Sequence, residues 1–136
     1  MPWKLQTEFT FDSAHIITGY DGPCGRLHGH TYRVRLELTS ERLRPSAHVQ
    51  RDIMVADFKT LKWAKKDVAQ GGLDHAYLNE HPDLGDDTTA EVIAAYLHRE
   101  TLRRVRESLS PGDGGEDLRL KVSLWETPDS CCEYWE

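Results

Sequence analysis

Two segments with strict alternation of apolar and polar residues constrain the fold of this chain more than any other feature. In the first segment the apolar side chains fall on odd positions, and in the second they fall on even positions: Trp3, Leu5, Phe9, Phe11 and then Tyr32, Val34, Leu36, Leu38. Successive side chains of a strand point to opposite faces, so each segment has one apolar face. The pattern predicts two half-buried strands, from Trp3 to Asp12 and from His28 to Thr39.

Three histidines continue the apolar faces of these strands. His15 shares the odd parity of Phe11, and His28 and His30 share the even parity of Tyr32. Their side chains should therefore lie on the same face as the core. Three neutral imidazoles from two adjacent strand ends could hold one zinc ion and leave its fourth position open, which is typical of catalytic zinc.

Cys24 lies between His15 and His28 in the chain, and two interpretations of it remain open. As a fourth ligand it would close the site and make the zinc structural. As an unligated thiol near a cation it would have a lowered pKa and could act as a base. The other cysteines are the adjacent pair Cys131 and Cys132, and an odd total of three does not suggest a disulfide framework. Free thiols predict a cytoplasmic protein.

Helix signals occupy the middle of the chain. Asp57 is a plausible N-cap for a helix that runs through Val68, and Thr88 and Glu91 have the spacing of a capping box for a longer helix. Two further strands are expected near the C-terminus, over 118–126 and 131–135. The order strand, strand, helix, helix, strand, strand predicts one α+β domain over residues 1–136. Its four-stranded antiparallel sheet would carry two helices on one face.

Composition narrows the range of partners. The chain has 136 residues and a net charge of −6, which argues against a general nucleic-acid or anionic-membrane binder. No apolar run is long enough to cross a bilayer, and the N-terminus lacks the apolar segment of a signal peptide. A chain of this length buries about two-thirds of its unfolded surface. Open sheet edges would also invite pairing, so we expect self-association. His48, His81 and His98 are expected at the surface.

An ordered set of short motifs resembles the 6-pyruvoyl- and 6-carboxy-tetrahydropterin synthase family of T-fold enzymes. The motifs lie at residues 11–15, 24–30, 54–58, 73–75, 78–79, 89–91 and 126. The His-Gly-His motif alone would be a weak signal, but the ordered set spans nearly the whole chain. Two positions depart from the family pattern. Ile53 stands where the family usually has glycine, and Thr88 stands where it usually has proline.

The resemblance implies a role for each candidate site residue. The zinc ligands would be His15, His28 and His30. The residues that act on the substrate would be Cys24 with Asp74 and His75, and the last two can come from a neighbouring subunit. Glu126 would anchor the pterin ring. Family members form trimers whose sheets close into a barrel, and two trimers stack into a hexamer. Without the resemblance, the Asp-His pair could be an ordinary loop contact and the glutamate a solvated strand-end charge.

The resemblance also implies a reaction. Three residues separate Cys24 from His28, as in the branch that makes 6-carboxy-tetrahydropterin for queuosine. The substrate would be 7,8-dihydroneopterin triphosphate, and the products 6-carboxy-5,6,7,8-tetrahydropterin, acetaldehyde and triphosphate. The alternatives are a 6-pyruvoyl-tetrahydropterin synthase, which eliminates triphosphate, and a non-catalytic zinc- or pterin-binding module. Arg26, Lys4 and Lys121 are all candidate triphosphate contacts, and the sequence does not choose among them.

Overall fold

The two alternating segments form the centre of a five-stranded sheet. The computed structural model describes residues 2–136, apart from the side chain of Ala69. The elements are β1 (Trp3–His15), β2 (His28–Ser40), α1 (Phe58–Ala64), β3 (Ala76–Tyr77), α2 (Ala90–Glu107), β4 (Arg119–Thr127) and β5 (Ser130–Trp135). The strand order is β3-β1-β2-β4-β5, and only the β1–β3 pairing is parallel. The α+β class and the two helices are therefore as predicted.

The predicted number of four strands is wrong, because β3 adds a fifth. This strand has two residues, too few to carry a readable period. Contacts with β1 hold it in place: the main-chain N–H of Asp12 donates to Asp74 Oδ1 at 2.9 Å, and that of His75 donates to the Asp12 carbonyl at 2.6 Å. The hydroxyl of Ser13 donates to the carbonyl of Ala76 at 2.7 Å. Tertiary contacts, rather than local propensity, thus create the strand.

The core lies between one face of the sheet and the helices. Tyr32, Val34, Leu36 and Leu38 of β2 are fully buried, as the even-position alternation predicts. The buried side chains of α2 pack into the same cluster: Ile93, Ala94, Tyr96, Leu97, Leu102, Val105. Within the described residues, no helix is both long and apolar enough to span a membrane.

The sequence predicted the N-cap of α1 correctly but not that of α2. Asp57 caps α1, accepting a hydrogen bond from the N–H of Lys59 at 2.9 Å, as predicted. That helix continues past its predicted end at Val68 as π-helical turns over Lys65–Leu73. The predicted capping box of α2 is wrong, because the N-cap is Thr89, whose hydroxyl accepts from the N–H of Val92.

Neither residue of the predicted capping box, Thr88 or Glu91, acts as the N-cap of α2. Thr88 is fully buried and contacts His15, so its hydroxyl is not available to the helix. Glu91 is exposed in the first turn of α2. Thr88 and Thr89 could each have capped the helix. Because Thr88 contacts His15 of β1, Thr89 is the N-cap.

His98 is also a correction, since it is buried rather than at the surface. It is 3% exposed, its Nε2 donates to the carbonyl of Leu120 at 3.0 Å, and its ring packs edge-on against Tyr134. The buried side of α2, which faces β4 and β5, includes more positions than the apolar residues of the helix alone. His98 occupies one of these extra positions, and its hydrogen bond to Leu120 satisfies the buried ring nitrogen.

A buried arginine joins the loop after β2 to the turn before β4. Arg44 is 1% exposed, and its guanidinium lies 2.7 Å from Asp117 and 3.3 Å from Asp113. Arg42 approaches the same two carboxylates from the solvent side, with half of its side chain exposed. The carboxylates therefore have one buried and one exposed cationic partner.

We predict that Arg44→Met lowers the free energy of unfolding by about 2 kcal/mol, because Asp113 and Asp117 lose their buried cationic partner and keep only the exposed Arg42. The matched variant Arg42→Met should cost less than about 1 kcal/mol, as is usual for exposed pairs. Urea denaturation at one fixed protein concentration measures both. Equal losses in the two variants would contradict the special role of the buried arginine.

Candidate metal centre

The pairing of β1 with β2 brings three imidazole rings together at one end of the sheet. His15 lies directly opposite His28, and Ser13 lies opposite His30. The ring centroids of the histidines are 4.5, 4.9 and 5.2 Å apart. One nitrogen from each ring can be chosen so that all three lie within 4.8 Å of one another. The predicted ligand set therefore comes together in one cluster.

Main-chain carbonyls orient two of these rings. Nδ1 of His15 donates to the carbonyl of Thr88 at 2.8 Å, and Nδ1 of His28 donates to the carbonyl of Arg26 at 2.7 Å. A carbonyl can only accept, so each Nδ1 carries a proton, and in the neutral form of either ring the lone pair is on Nε2. This pattern of outer contacts is usual for histidines that bind a metal.

The chemistry of the three donors fits zinc. Nε2 of His15 is buried and has no hydrogen-bond partner among the described residues, which is rare for a buried polar atom. Burial lowers the pKa of His15 and of His30 below their ordinary values, which favours the neutral, metal-binding form. Neutral imidazoles are common zinc ligands. These residues, together with His28, are those that would hold the ion.

Cys24 lies close to this cluster in the chain but outside the set of converging donors. It sits in the turn Pro23–Gly25, whose position is set by a hydrogen bond from the N–H of Ile17 to the Cys24 carbonyl at 2.8 Å. Gly25 is needed there because a Cβ would collide with the carbonyl of Tyr20. The thiol is exposed, and the described ligand atoms within 4.8 Å of one another do not include it.

Glu126 of β4 borders the imidazole cluster. Its Oε1 lies 3.7 Å from Nε2 of His15 and 3.8 Å from Nε2 of His30, which is too far for a hydrogen bond. The side chain is 28% exposed. The carboxylate thus faces the histidines, in agreement with its strand parity, and keeps capacity for further contacts.

Two residues near the cluster were not singled out as site residues from the sequence. The ring of Tyr32 stacks on Phe11 at 4.8 Å and meets the edge of His30 at 5.3 Å, so it forms an apolar floor. Burial raises the pKa of its phenol, which therefore stays neutral. The parity of Tyr32 with the histidines was the available signal. For Thr88, which contacts His15, the sequence held no signal of that contact.

The Asp-His pair forms a second group of side chains. Nδ1 of His75 lies 2.9 Å from Oδ2 of Asp74, and Asp12 completes a cluster with them. This cluster is separate from the three imidazoles, and Asp12 has the opposite strand parity to His15. The side chain of His75 is 78% exposed at the β3 edge. Within one chain, therefore, the pair does not join the imidazole cluster.

Comparison with solved structures defines the fold class. The chain superposes on the 6-pyruvoyl tetrahydropterin synthase of Plasmodium vivax with a TM-score of 0.73 at 20% identity, covering 100% of this chain and 98% of the other. For the Caenorhabditis elegans 6-pyruvoyl tetrahydropterin synthase the TM-score is 0.71 at 21% identity, with 100% and 96% covered. The architecture is thus the T-fold of the pterin synthases.

Sequence comparison then identifies the family. The family model described as 6-pyruvoyl tetrahydropterin synthase matches residues 4–136. The chain is 38% identical to a 6-carboxy-5,6,7,8-tetrahydropterin synthase of Synechocystis sp., covering 98% of this chain and 93% of the relative. It is 31% identical to the protein of that name from Haemophilus influenzae, covering 98% and 99%. The chain belongs to the 6-pyruvoyl tetrahydropterin synthase family and is an enzyme, as the motifs predicted.

We predict that Asp74→Asn lowers the pKa of His75. The hydrogen bond and charge of Asp74 stabilise the imidazolium and raise that pKa above its ordinary value, so their loss should return it toward that value. NMR titration of the His75 ring measures the change. Asp12→Asn is the matched control and should lower the pKa less, because Asp12 acts only through its charge. An unchanged pKa in Asp74→Asn would contradict the pairing.

Proposed function

We propose that this protein is a zinc-dependent carbon-carbon lyase of 7-deazaguanine (queuosine) biosynthesis. It converts 7,8-dihydroneopterin triphosphate and one water molecule to 6-carboxy-5,6,7,8-tetrahydropterin, acetaldehyde and triphosphate. The observation that carries the proposal is the convergence of His15, His28 and His30, with lone pairs on two Nε2 atoms set by main-chain carbonyls. Full-length relatives named 6-carboxy-5,6,7,8-tetrahydropterin synthase support the choice of reaction.

The three imidazoles would hold zinc, and the partial exposure of His28 and His30 would give the substrate access to it. Zinc, when bound, supplies Lewis-acid stabilisation of negative charge on the hydroxyl oxygens of the substrate side chain. The carbonyls of Thr88 and Arg26 keep two ligand rings in place while the substrate enters. The apolar floor of Tyr32 and Phe11 keeps water from the inner side of the cluster.

Proton transfer is assigned to Cys24 and His75. The exposed thiol of Cys24, beside a cationic centre, would take the proton from the substrate side chain. His75 would return a proton, because Asp74 raises its pKa and so keeps an imidazolium available nearer neutral pH. A proton acceptor and a separate proton donor suit a reaction that moves protons before a carbon-carbon bond breaks.

Recognition of the pterin ring is assigned to Glu126. An ionised carboxylate is an acceptor only, and the 2-amino group and ring N–H of a pterin are donors. Such charge-assisted hydrogen bonds are stronger than neutral ones. Because Glu126 borders the histidines at 3.7 and 3.8 Å, a ring held there would extend its side chain toward the metal ligands.

Among the candidate cations, we assign the triphosphate to Arg26. Lys4 and Lys121 lie 2.9 and 3.3 Å from the carboxylate of Glu37, so their charges already have a partner. The two lysines and Glu37 lie on the face of the sheet opposite to the core. Arg26 is adjacent to the imidazole cluster through its carbonyl contact with His28.

We also propose that the working unit is a hexamer made of two trimers, acting in the cytoplasm, where its free thiols stay reduced. The sheet has open edges at β3 and β5, which can pair with other copies. The Asp74–His75 pair stands apart from the imidazole cluster of its own chain. A second copy could bring its pair to that cluster and complete the site.

Product analysis tests the reaction. We expect zinc-loaded protein given 7,8-dihydroneopterin triphosphate to release acetaldehyde and one 6-carboxy-tetrahydropterin per triphosphate, measured by mass spectrometry. Removal of zinc by a chelator should abolish product formation, and added zinc should restore it. A pyruvoyl product without acetaldehyde would instead support the 6-pyruvoyl-tetrahydropterin synthase alternative. Binding of the substrate with no product would support the non-catalytic module.

The role of Cys24 is tested by Cys24→Ala. If the thiol is a base, zinc content and folding should stay unchanged, while turnover falls by about 10²- to 10⁴-fold. Metal analysis and activity on the same preparation measure both quantities. Cys131→Ala, which also removes an exposed thiol, is the control and should keep full activity. Loss of zinc and unfolding in Cys24→Ala would instead show a closed structural site with four ligands.

A further inference from the structure

Thr88 is a fully buried threonine that makes contacts unusual for its position before a helix. Its carbonyl accepts from Nδ1 of His15 at 2.8 Å, and its Oγ1 lies 3.2 Å from the same nitrogen. The hydroxyl itself can donate to the carbonyl of Ile16 at 3.2 Å or to Oδ1 of Asn79 at 3.3 Å. One residue thus contacts the histidine ring from both its main chain and its side chain.

Asn79 holds the residue that follows His15. Its Oδ1 accepts from the N–H of Ile16 at 2.9 Å, and its amide nitrogen donates to the Ile16 carbonyl at 2.8 Å. The side-chain amide therefore satisfies both main-chain groups of Ile16, much as a neighbouring strand would. Together, Thr88 and Asn79 hold the ring of His15 and the backbone beside it.

We propose that Thr88 and Asn79 form a positioning clamp that presets His15 as a metal ligand. The clamp keeps the proton on Nδ1 and directs the bare Nε2 toward the other two histidines, before any metal arrives. The inference rests on the proposed metal site and concerns residues that do not themselves bind metal. Outer contacts of this kind commonly change metal affinity by about 10- to 100-fold.

The hydroxyl of Thr88 is the part of the clamp that can be removed alone. A main-chain carbonyl is present whatever residue stands at 88, including the proline that is usual in the family. The hydroxyl is the extra contact made by this chain, since it can accept from Nδ1 of His15 while donating to Ile16 or Asn79. Thr88→Val removes it while closely keeping the shape of the side chain.

The experiment compares Thr88→Val with Thr88→Ser and with Thr60→Val, each made in the 136-residue chain. Thr60 is a matched control, because it is also a buried threonine whose hydroxyl makes a side-chain contact, with Ser108 at 3.3 Å on another part of the fold. The zinc dissociation constant is measured by competition with a chromophoric chelator, and thermal denaturation of the metal-free proteins reports folding. Long-range ¹⁵N NMR of the metal-free proteins reports which nitrogen of His15 carries the proton.

We expect Thr88→Val to weaken zinc binding by about 10-fold, because the ring of His15 loses one of its two orienting contacts, while the Thr88 carbonyl keeps the proton on Nδ1. Thr88→Ser should bind zinc within about 3-fold of the wild type, because it keeps the hydroxyl. Thr60→Val should lower thermal stability while leaving zinc affinity and tautomer unchanged.

Three results would overturn the clamp. They are wild-type zinc affinity in Thr88→Val, a metal-free wild type in which Nε2 rather than Nδ1 of His15 carries the proton, or an equal loss of zinc affinity in Thr60→Val. A wild-type chain that binds no zinc would overturn the metal site itself. That result is distinguishable from failure of the clamp alone, in which the wild type binds zinc and Thr88→Val binds it equally well.

Discussion

The register between β1 and β2 is the constraint on which both the core and the site depend. It sets His15 opposite His28 at one end of the pair and Leu5 opposite Leu38 near the other. A shift of one residue would turn every side chain of a strand to the opposite face. The rings of Phe11 and Tyr32, stacked at 4.8 Å, help hold the register between these ends. The interaction that buries the core therefore also assembles the imidazole cluster.

The imidazole cluster lies at the end of β2 where burial decreases. The core residues of β2 are fully buried in the cluster to which α2 also contributes, whereas His28 and His30, at the start of the same strand, are partly exposed. The chain just before α2 reaches His15 through Thr88 and keeps that ring buried. At this edge of the core, Nε2 of His15 is buried and has no hydrogen-bond partner in the described part of the chain. This is the local frustration expected at a functional site.

The arrangement also explains why a single chain of this family is an incomplete catalyst in our proposal. Glu126 borders the imidazole cluster, but Asp74 and His75 belong to a separate group at the β3 edge. The exposed side chain of His75, at 78%, is suited to a partner surface rather than to its own core. Assembly through the open sheet edges would then serve catalysis as well as stability.

The sequence by itself determined the features that follow from alternating side chains along a strand or from short sequence motifs. Alternation located both long strands and placed His15, His28 and His30 on the core face, and the ordered motifs identified the family. A side chain's face follows from strand parity alone, which is why these features could be predicted without coordinates. The cap at Asp57 is equally local and was also predicted.

Only the tertiary structure decided the features that depend on distant contacts. The two-residue strand β3 forms because Asp74 and His75, just before it, make hydrogen bonds with β1. Thr89 rather than Thr88 caps α2, because Thr88 makes its hydrogen bonds with His15 instead. His98 is buried because two strands pass beneath α2. In each case a hydrogen-bond partner more than 15 residues away outweighs the local preference, and no window of sequence contains both partners.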